Sequence, residues 1–210
     1  MDWRIIIIQI FVLLFAITIH EASHAWAAMK MGDSTASAMG RVSLNPLAHI
    51  DPFGTVILPL ILILVLHAPA FGWAKPVMVN PRNLRHPRRD NLWISLAGPA
   101  ANLAAATVSL IVLLGLKHLP RNSPPLEALA TIFYAAVMIN VILAVFNLIP
   151  VPPLDGSGVL AGILSDEAAA KYERIRPYGF IIVIGLVYLG VLDFIFRFIQ
   201  IFIDTLLSFL

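Results

Sequence analysis

The chain has 210 residues and no cysteine. Disulfides, iron–sulfur clusters, thiol nucleophiles and thiolate zinc sites are therefore excluded, and any bound metal must be held by His, Asp or Glu. Charge is scarce as well. Only 12% of residues are charged and the formal net charge is +2, which gives no footing for nucleic acid as a partner. No internal repeat or low-complexity linker is present, and the polar stretches are too short to build a large soluble domain. What the chain has in abundance is apolar surface: 60% of residues are hydrophobic and the mean hydropathy is +0.89. That balance belongs to a multi-pass protein of a cell (inner or plasma) membrane, with the lipid bilayer as its solvent.

Periodicity and turn residues divide the chain. A first helix is predicted over residues 3–31, stopping at Gly32. The polar loop 33–52 follows, with a short strand expected over residues 39–44. Residues 53–71 are apolar but contain Pro59 and Pro69. A basic loop over residues 75–90 leads to helices over residues 91–116 and 126–148. The extended run Pro150-Val151-Pro152-Pro153, a polar stretch to Pro177 and a final apolar region, 178–210, complete the chain. With about 20 residues needed per crossing, the expected fold is an all-α polytopic membrane protein of about five to six transmembrane helices, with a re-entrant or short β-containing loop near the active site. It forms one domain over residues 1–210, its catalytic core about 3–165 and its C-terminal helices about 178–210. A cleaved signal peptide is the poorer reading of the N-terminus, because His20 and Glu21 interrupt the apolar run where its cleavage region would begin.

Residues four apart share a helical face, so His20 and His24 can present two imidazoles to one metal, with Glu21 beside them. This is the HExxH arrangement, in which the histidines bind zinc and the glutamate serves as general base. With only six histidines in the chain, chance is a poor account of it. Three ionisable side chains in an apolar helix are also costly unless they face a cavity or a partner. Catalytic zinc takes a third protein ligand and keeps one position open. Asp155 is a candidate for that ligand, although an aspartate before glycine equally suits a turn or helix cap. Asn140 and Asn147 lie on one helical face and point into the bundle, where Asn140 equally suits polar glue between helices. Asn102 and Gly98 suit close helix packing. Asp193 and Arg197 are spaced as an ion pair, and His49 is a loop histidine.

The two separated motifs, His20-Glu21-Ala22-Ser23-His24 and Asn147-Leu148-Ile149-Pro150-Val151-Pro152-Pro153-Leu154-Asp155-Gly156, together with the Ala97–Asn102 stretch AGPAAN, resemble the site-2 protease family of intramembrane zinc metalloproteases, in its short bacterial and archaeal branch. The resemblance covers about residues 3–165. It implies one Zn2+ per chain held by His20, His24 and Asp155, Glu21 as the catalytic base, Asn147 as a substrate-backbone or oxyanion contact, with Asn140 a weaker substrate-binding candidate, and a membrane protein with a transmembrane segment as substrate.

For the two motifs to meet, the fourth predicted helix must finish on the side where the first one does. Residues 53–71 must then return to the side they leave, as a re-entrant hairpin. The loops on that side carry most of the lysines and arginines, including Lys75, Arg82, Arg85, Arg88 and Arg89, so the site is expected toward the cytoplasm. Two other functions fit parts of the pattern. A membrane metal transporter has no need of Glu21, and an inactive membrane adaptor would tolerate loss of both histidines.

Overall fold

The computed structural model describes residues 3–57, 75–119 and 123–209. Helix α1, Trp3–Lys30, is followed by the short α2, Thr35–Ala38, and a 3-10 turn, Pro46–Ala48. A second 3-10 turn, Pro81–Asn83, precedes α3, Pro87–Leu116, and then α4, Pro124–Asn147. Two short helices follow, α5, Asp155–Ile163, and α6, Asp166–Glu173, and the chain ends in α7, Gly179–Tyr188, and α8, Val191–Phe209. Helices α1, α3 and α4 pack together, and α5 lies against α3.

The distribution of side chains reverses that of a soluble protein. Bulky apolar residues such as Ile5, Ile7, Phe11, Val108 and Ile111 are exposed, while the buried set is dominated by alanines and polar residues, among them Thr18, His20, His24, Asn102, Ser109 and Asn140. Lipid tails offer no hydrophobic penalty to an exposed isoleucine, whereas small residues let helices approach closely and polar residues bond across them. Among the described residues, three helices are long and apolar enough to cross a membrane, α1, α3 and α4, or four if the bent C-terminal run counts as one span.

The described residues thus supply three to four of the about five to six expected from the sequence. Helices α5 and α6, in the stretch read as polar, have only 9 and 8 residues, far short of the roughly 20 a crossing needs. The C-terminal apolar region is broken by 61° before Val191. The predicted hairpin over residues 53–71 falls mostly on residues 58–74, outside the described ones. Residues 39–44 form no strand. Their backbone groups go instead to local turns, Gly40 N donating to Ser37 O at 2.9 Å and Arg41 N to Ala36 O at 3.0 Å, with Gly40 at φ 72°. Asp193 and Arg197 are both exposed and make no ion pair with each other.

The start of α3 lies four residues earlier than predicted. Pro87 occupies its first turn, where a missing N–H costs nothing, and the Asp90 carboxylate accepts from His86 N at 2.7 Å. The loops on either side of residues 58–74 are tied together. Lys75 N donates to His49 O at 2.9 Å. Asp33 Oδ1 accepts from Thr35 N (3.1 Å), Thr35 Oγ1 (2.5 Å) and Asn83 Nδ2 (2.8 Å), while Oδ2 accepts from Asn80 N at 2.7 Å. Gly32, at φ 109°, makes this junction possible, because a Cβ there would sit 2.9 Å from Asn83 O.

Candidate active site

His20 and His24 lie one turn apart on the face of α1 that meets α3, and both are buried. His24 Nδ1 stands 2.6 Å from Ile94 O, a carbonyl that can only accept, so the hydrogen of that ring is on Nδ1. His20 Nδ1 stands 2.6 Å from Asn102 Oδ1. The Asn102 amide is assigned by its other contacts, since Nδ2 faces Ala16 O at 3.1 Å and Asn140 Oδ1 at 2.8 Å. Both histidines therefore carry their hydrogen on Nδ1 and turn a bare Nε2 toward the same point.

The third group arrives from far along the chain. After α4 ends at Asn147, the segment 148–154 folds back, held by Tyr172 Oη donating to Pro150 O at 2.9 Å. Gly156 permits the tight return, because a Cβ there would lie 2.5 Å from Ile149 O. Helix α5 then settles on α3, with Gly158 against Ser95 and Gly162 against Leu92. Arg88 Nε donates to Ala161 O at 3.0 Å, and Arg88 also pairs with Asp166. As the first residue of α5, Asp155 places Oδ2 3.0 Å from His20 Nε2 and 3.2 Å from His24 Nε2. The two Nε2 atoms are 3.0 Å apart.

Three electron-pair donors thus face one another, and Asp155 Oδ2 is buried with no hydrogen-bond partner among the described residues. Such a cluster is repulsive unless a cation stands at its centre. Two neutral imidazoles and one carboxylate are the donor set of a catalytic zinc site, which leaves a fourth position open. Gly98 keeps the space clear from the α3 side. A Cβ at that position would come within 2.7 Å of His20 Nε2 and closer still to His24 Nε2. The fit to zinc is good in donor type, number and convergence.

Glu21, the next residue after His20, is half-buried and has no hydrogen-bond partner among the described residues. Asp155 is also half-buried, so the cluster opens on the side where the carboxylates lie. A groove of about 260 Å³ runs along the neighbouring face of α1, between Ile19, Ala22, Ser23 and Trp26 on the helix and Val42, Ser43 and Leu44 in the loop. Asn147 is half-buried, with Nδ2 donating to Leu143 O at 2.9 Å and its side-chain oxygen unpaired among the described residues. Asn140 is buried between helices, bonded to Asn102 and, through Nδ2, to Ala136 O at 2.8 Å. His49 is not part of the cluster: it is buried in the loop with Nε2 2.8 Å from Ser43 O. Sequence spacing singled out His20, Glu21 and His24, but it read Asn102 and Gly98 as packing residues. The separation of 82 positions between His20 and Asn102 leaves no periodic signal to join them.

An HExxH helix joined by a distant aspartate inside an apolar helix bundle is the arrangement of a membrane-embedded metalloprotease. The model for peptidase family M50 matches residues 8–124 and 119–189. The chain belongs to that family, the site-2 proteases. It is similar to "Putative zinc metalloprotease YwhC" of Bacillus subtilis (strain 168), 38% identical over 179 residues, covering 83% of this chain and 77% of that one. It is also similar to "Putative zinc metalloprotease Rip2" of Mycolicibacterium smegmatis, 30% identical over 177 residues, covering 82% of this chain and 63% of that one. Rip2 of Mycobacterium tuberculosis (strain H37Rv) is 28% identical over 176 residues, covering 82% of this chain and 63% of the relative. No solved structure matches the chain.

Proposed function

We propose that this protein is a zinc-dependent intramembrane endopeptidase that hydrolyses a peptide bond within or near a transmembrane helix of a membrane-protein substrate. The convergence of His20 Nε2, His24 Nε2 and Asp155 Oδ2 inside a bundle of apolar helices carries this reading. His20, His24 and Asp155 hold the metal. When bound, zinc supplies Lewis-acid chemistry, acidifying water and polarising a carbonyl. Glu21 accepts the proton of the attacking water at its carboxylate and returns it to the leaving amine. Its half-buried, unpartnered carboxylate suits a group that must gain and lose a proton. Asn147 orients the substrate backbone or the developing oxyanion. Asn140, held within the bundle, has no free face for substrate and acts from behind the site.

The substrate helix must unwind locally, because its peptide bonds are shielded by their own hydrogen bonds. The groove beside α1 suits such an extended stretch, with Ile19 and Trp26 facing apolar side chains and the irregular backbone at Val42 and Leu44, unpaired among the described residues, available for strand addition. The loops 33–52 and 75–86 lie on one side of the bilayer, a reading supported by the bond from Lys75 N to His49 O and by the contacts of Asp33 with Asn80 and Asn83, which join them. By the positive-inside rule that side is cytoplasmic. The test is zinc stoichiometry of the detergent-purified protein, combined with cleavage of a transmembrane peptide by wild type and Glu21→Gln. One zinc per chain and cleavage by wild type alone support the reading; metal flux without cleavage would establish a transporter instead.

A further inference from the structure

The amides behind His20 form a series with a single consistent polarity. Asn140 Nδ2 must face the carbonyl of Ala136, one turn back in α4, so Asn140 Oδ1 points to Asn102. That oxygen and Ala16 O together demand the Asn102 nitrogen, so Asn102 Oδ1 points to His20. An oxygen at that position demands a hydrogen on His20 Nδ1 and leaves Nε2 bare. The order of the series starts at a backbone carbonyl of α4, passes through α3, and ends on a ring of α1. All three side chains are buried, Asn102 completely, so water cannot substitute for a lost partner.

We propose that Asn102 and Asn140 are positioning residues for the metal, a two-amide relay that fixes both the tautomer and the ring plane of His20. The inference rests on the zinc-protease reading of the site. Polar glue between helices would explain why two asparagines are buried together. It does not, however, require the series to end with an acceptor on the ring of His20. A reversed Asn102 would present Nδ2 to His20 Nδ1, drive the ring hydrogen to Nε2, and remove that nitrogen as a ligand. The observed polarity is the one that keeps His20 competent, and outer-shell partners of this kind orient ligands and set their basicity.

The experiment measures zinc affinity of the full chain in detergent by competition with a chromophoric chelator, beside thermal unfolding of the chelator-stripped protein. Wild type that binds no zinc would remove the zinc reading and this inference together. With zinc bound by wild type, Asn102→Leu is expected to lose about 10–100-fold in zinc affinity. Asn102→Asp restores an acceptor for the His20 Nδ1 hydrogen and is expected to recover most of that loss. Its unfolding temperature should stay low, because a carboxylate oxygen then faces Ala16 O and Asn140 Oδ1. Zinc affinity thus follows the acceptor and stability follows the amide nitrogen, a split that mere packing does not produce. Should Asn102→Leu fail to fold, Asn140→Asp, which keeps its oxygen toward Asn102, must bind zinc more tightly than Asn140→Leu. Wild-type affinity in Asn102→Leu, Asn102→Asp no better than Asn102→Leu, or equal affinities in the Asn140 pair would overturn the relay.

Discussion

His20 Nε2 and His24 Nε2 stand 3.0 Å apart, and each ring has already committed its other nitrogen as a donor, one to Asn102 and one to Ile94 O. The lone pairs therefore point at each other rather than at any protein hydrogen. A histidine pair arranged to fold well without metal would exchange a hydrogen instead.

Glu21→Gln should retain zinc, since His20, His24 and Asp155 are untouched, and should lose about 10²–10⁴-fold in kcat, the usual worth of general acid–base catalysis. Metal analysis alongside single-turnover cleavage of a transmembrane peptide checks both halves. Turnover near wild type would remove Glu21 from the chemistry.

Asp155→Ala should weaken zinc binding by more than the roughly 10–100-fold that loss of an outer-shell partner costs. Two imidazoles leave the metal short of its usual three protein ligands. Unchanged zinc content after dialysis against a weak chelator would make Asp155 a helix-start residue only.

Gly98→Ala tests whether the space between the imidazoles must stay clear. Alanine is the better helix former by about 1 kcal/mol, but its Cβ would sit 2.6 Å from His20 Cε1 and closer still to His24 Nε2, an overpacking that costs about 1–3 kcal/mol. Zinc affinity and cleavage should fall, and the metal-free protein should unfold at no higher temperature than wild type. Tight zinc binding in this variant would mean that α3 can draw back from the site.

The Asp33 carboxyl sets a pH dependence. Burial acts to raise its pKa, but bonds from Thr35, Asn83 and the Asn80 backbone outweigh it and hold the value at about 2, below the ordinary 3.8. Its folded-state pKa is depressed, so its stabilising contribution is complete above about pH 4 and is lost as the pH falls through about 2. Wild type should lose stability across that window, measured by thermal unfolding. Asp33→Asn should be less stable at neutral pH and flatter below pH 4. Parallel profiles for the two proteins would count against the role of Asp33.

Single cysteines at Ser43 and Asn83, introduced into this cysteine-free chain, should react with membrane-impermeant reagents from one face only, the cytoplasmic one. Asp33 contacts Asn80 and Asn83 directly, which leaves little room for a bilayer between the two loops. Labelling from opposite faces would overturn the placement of the two loops on one side of the bilayer.

Much of this site could be read before the fold was known, and the reason is local. The i, i+4 rule places His20 and His24 together whatever the rest of the chain does. Asp155 could be read only through the whole Asn147–Gly156 pattern, because an aspartate before a glycine is ordinary turn chemistry. The partners of the ligands were invisible: Ile94 contributes a backbone oxygen, which no residue type announces, and Asn102 looks like any buried amide in an apolar helix. The fold was legible where apolar runs were long, in α1, α3 and α4. Helices α5, α6 and α7 are too short for a composition window to separate from loops or half-spans. The expected strand at residues 39–44 followed side-chain preference, but Gly40 and the carbonyls of Ala36 and Ser37 had already claimed that backbone.

The two halves of the metal cluster are far apart in sequence: His20 and Asp155 are separated by 135 positions, 155 less 20. A metal held by both closes a loop containing most of the chain. Because the ligands converge only in the folded chain, such a metal would stabilise the fold by its binding free energy. Helix α5 is otherwise held to α3 by close contacts at Gly158 and Gly162 and by Arg88 Nε donating to Ala161 O. A zinc ion held there would be a cross-link as well as a reagent, joining distant parts of a chain that has no cysteine to do so. Zinc is then expected to raise the unfolding temperature of the chelator-stripped protein.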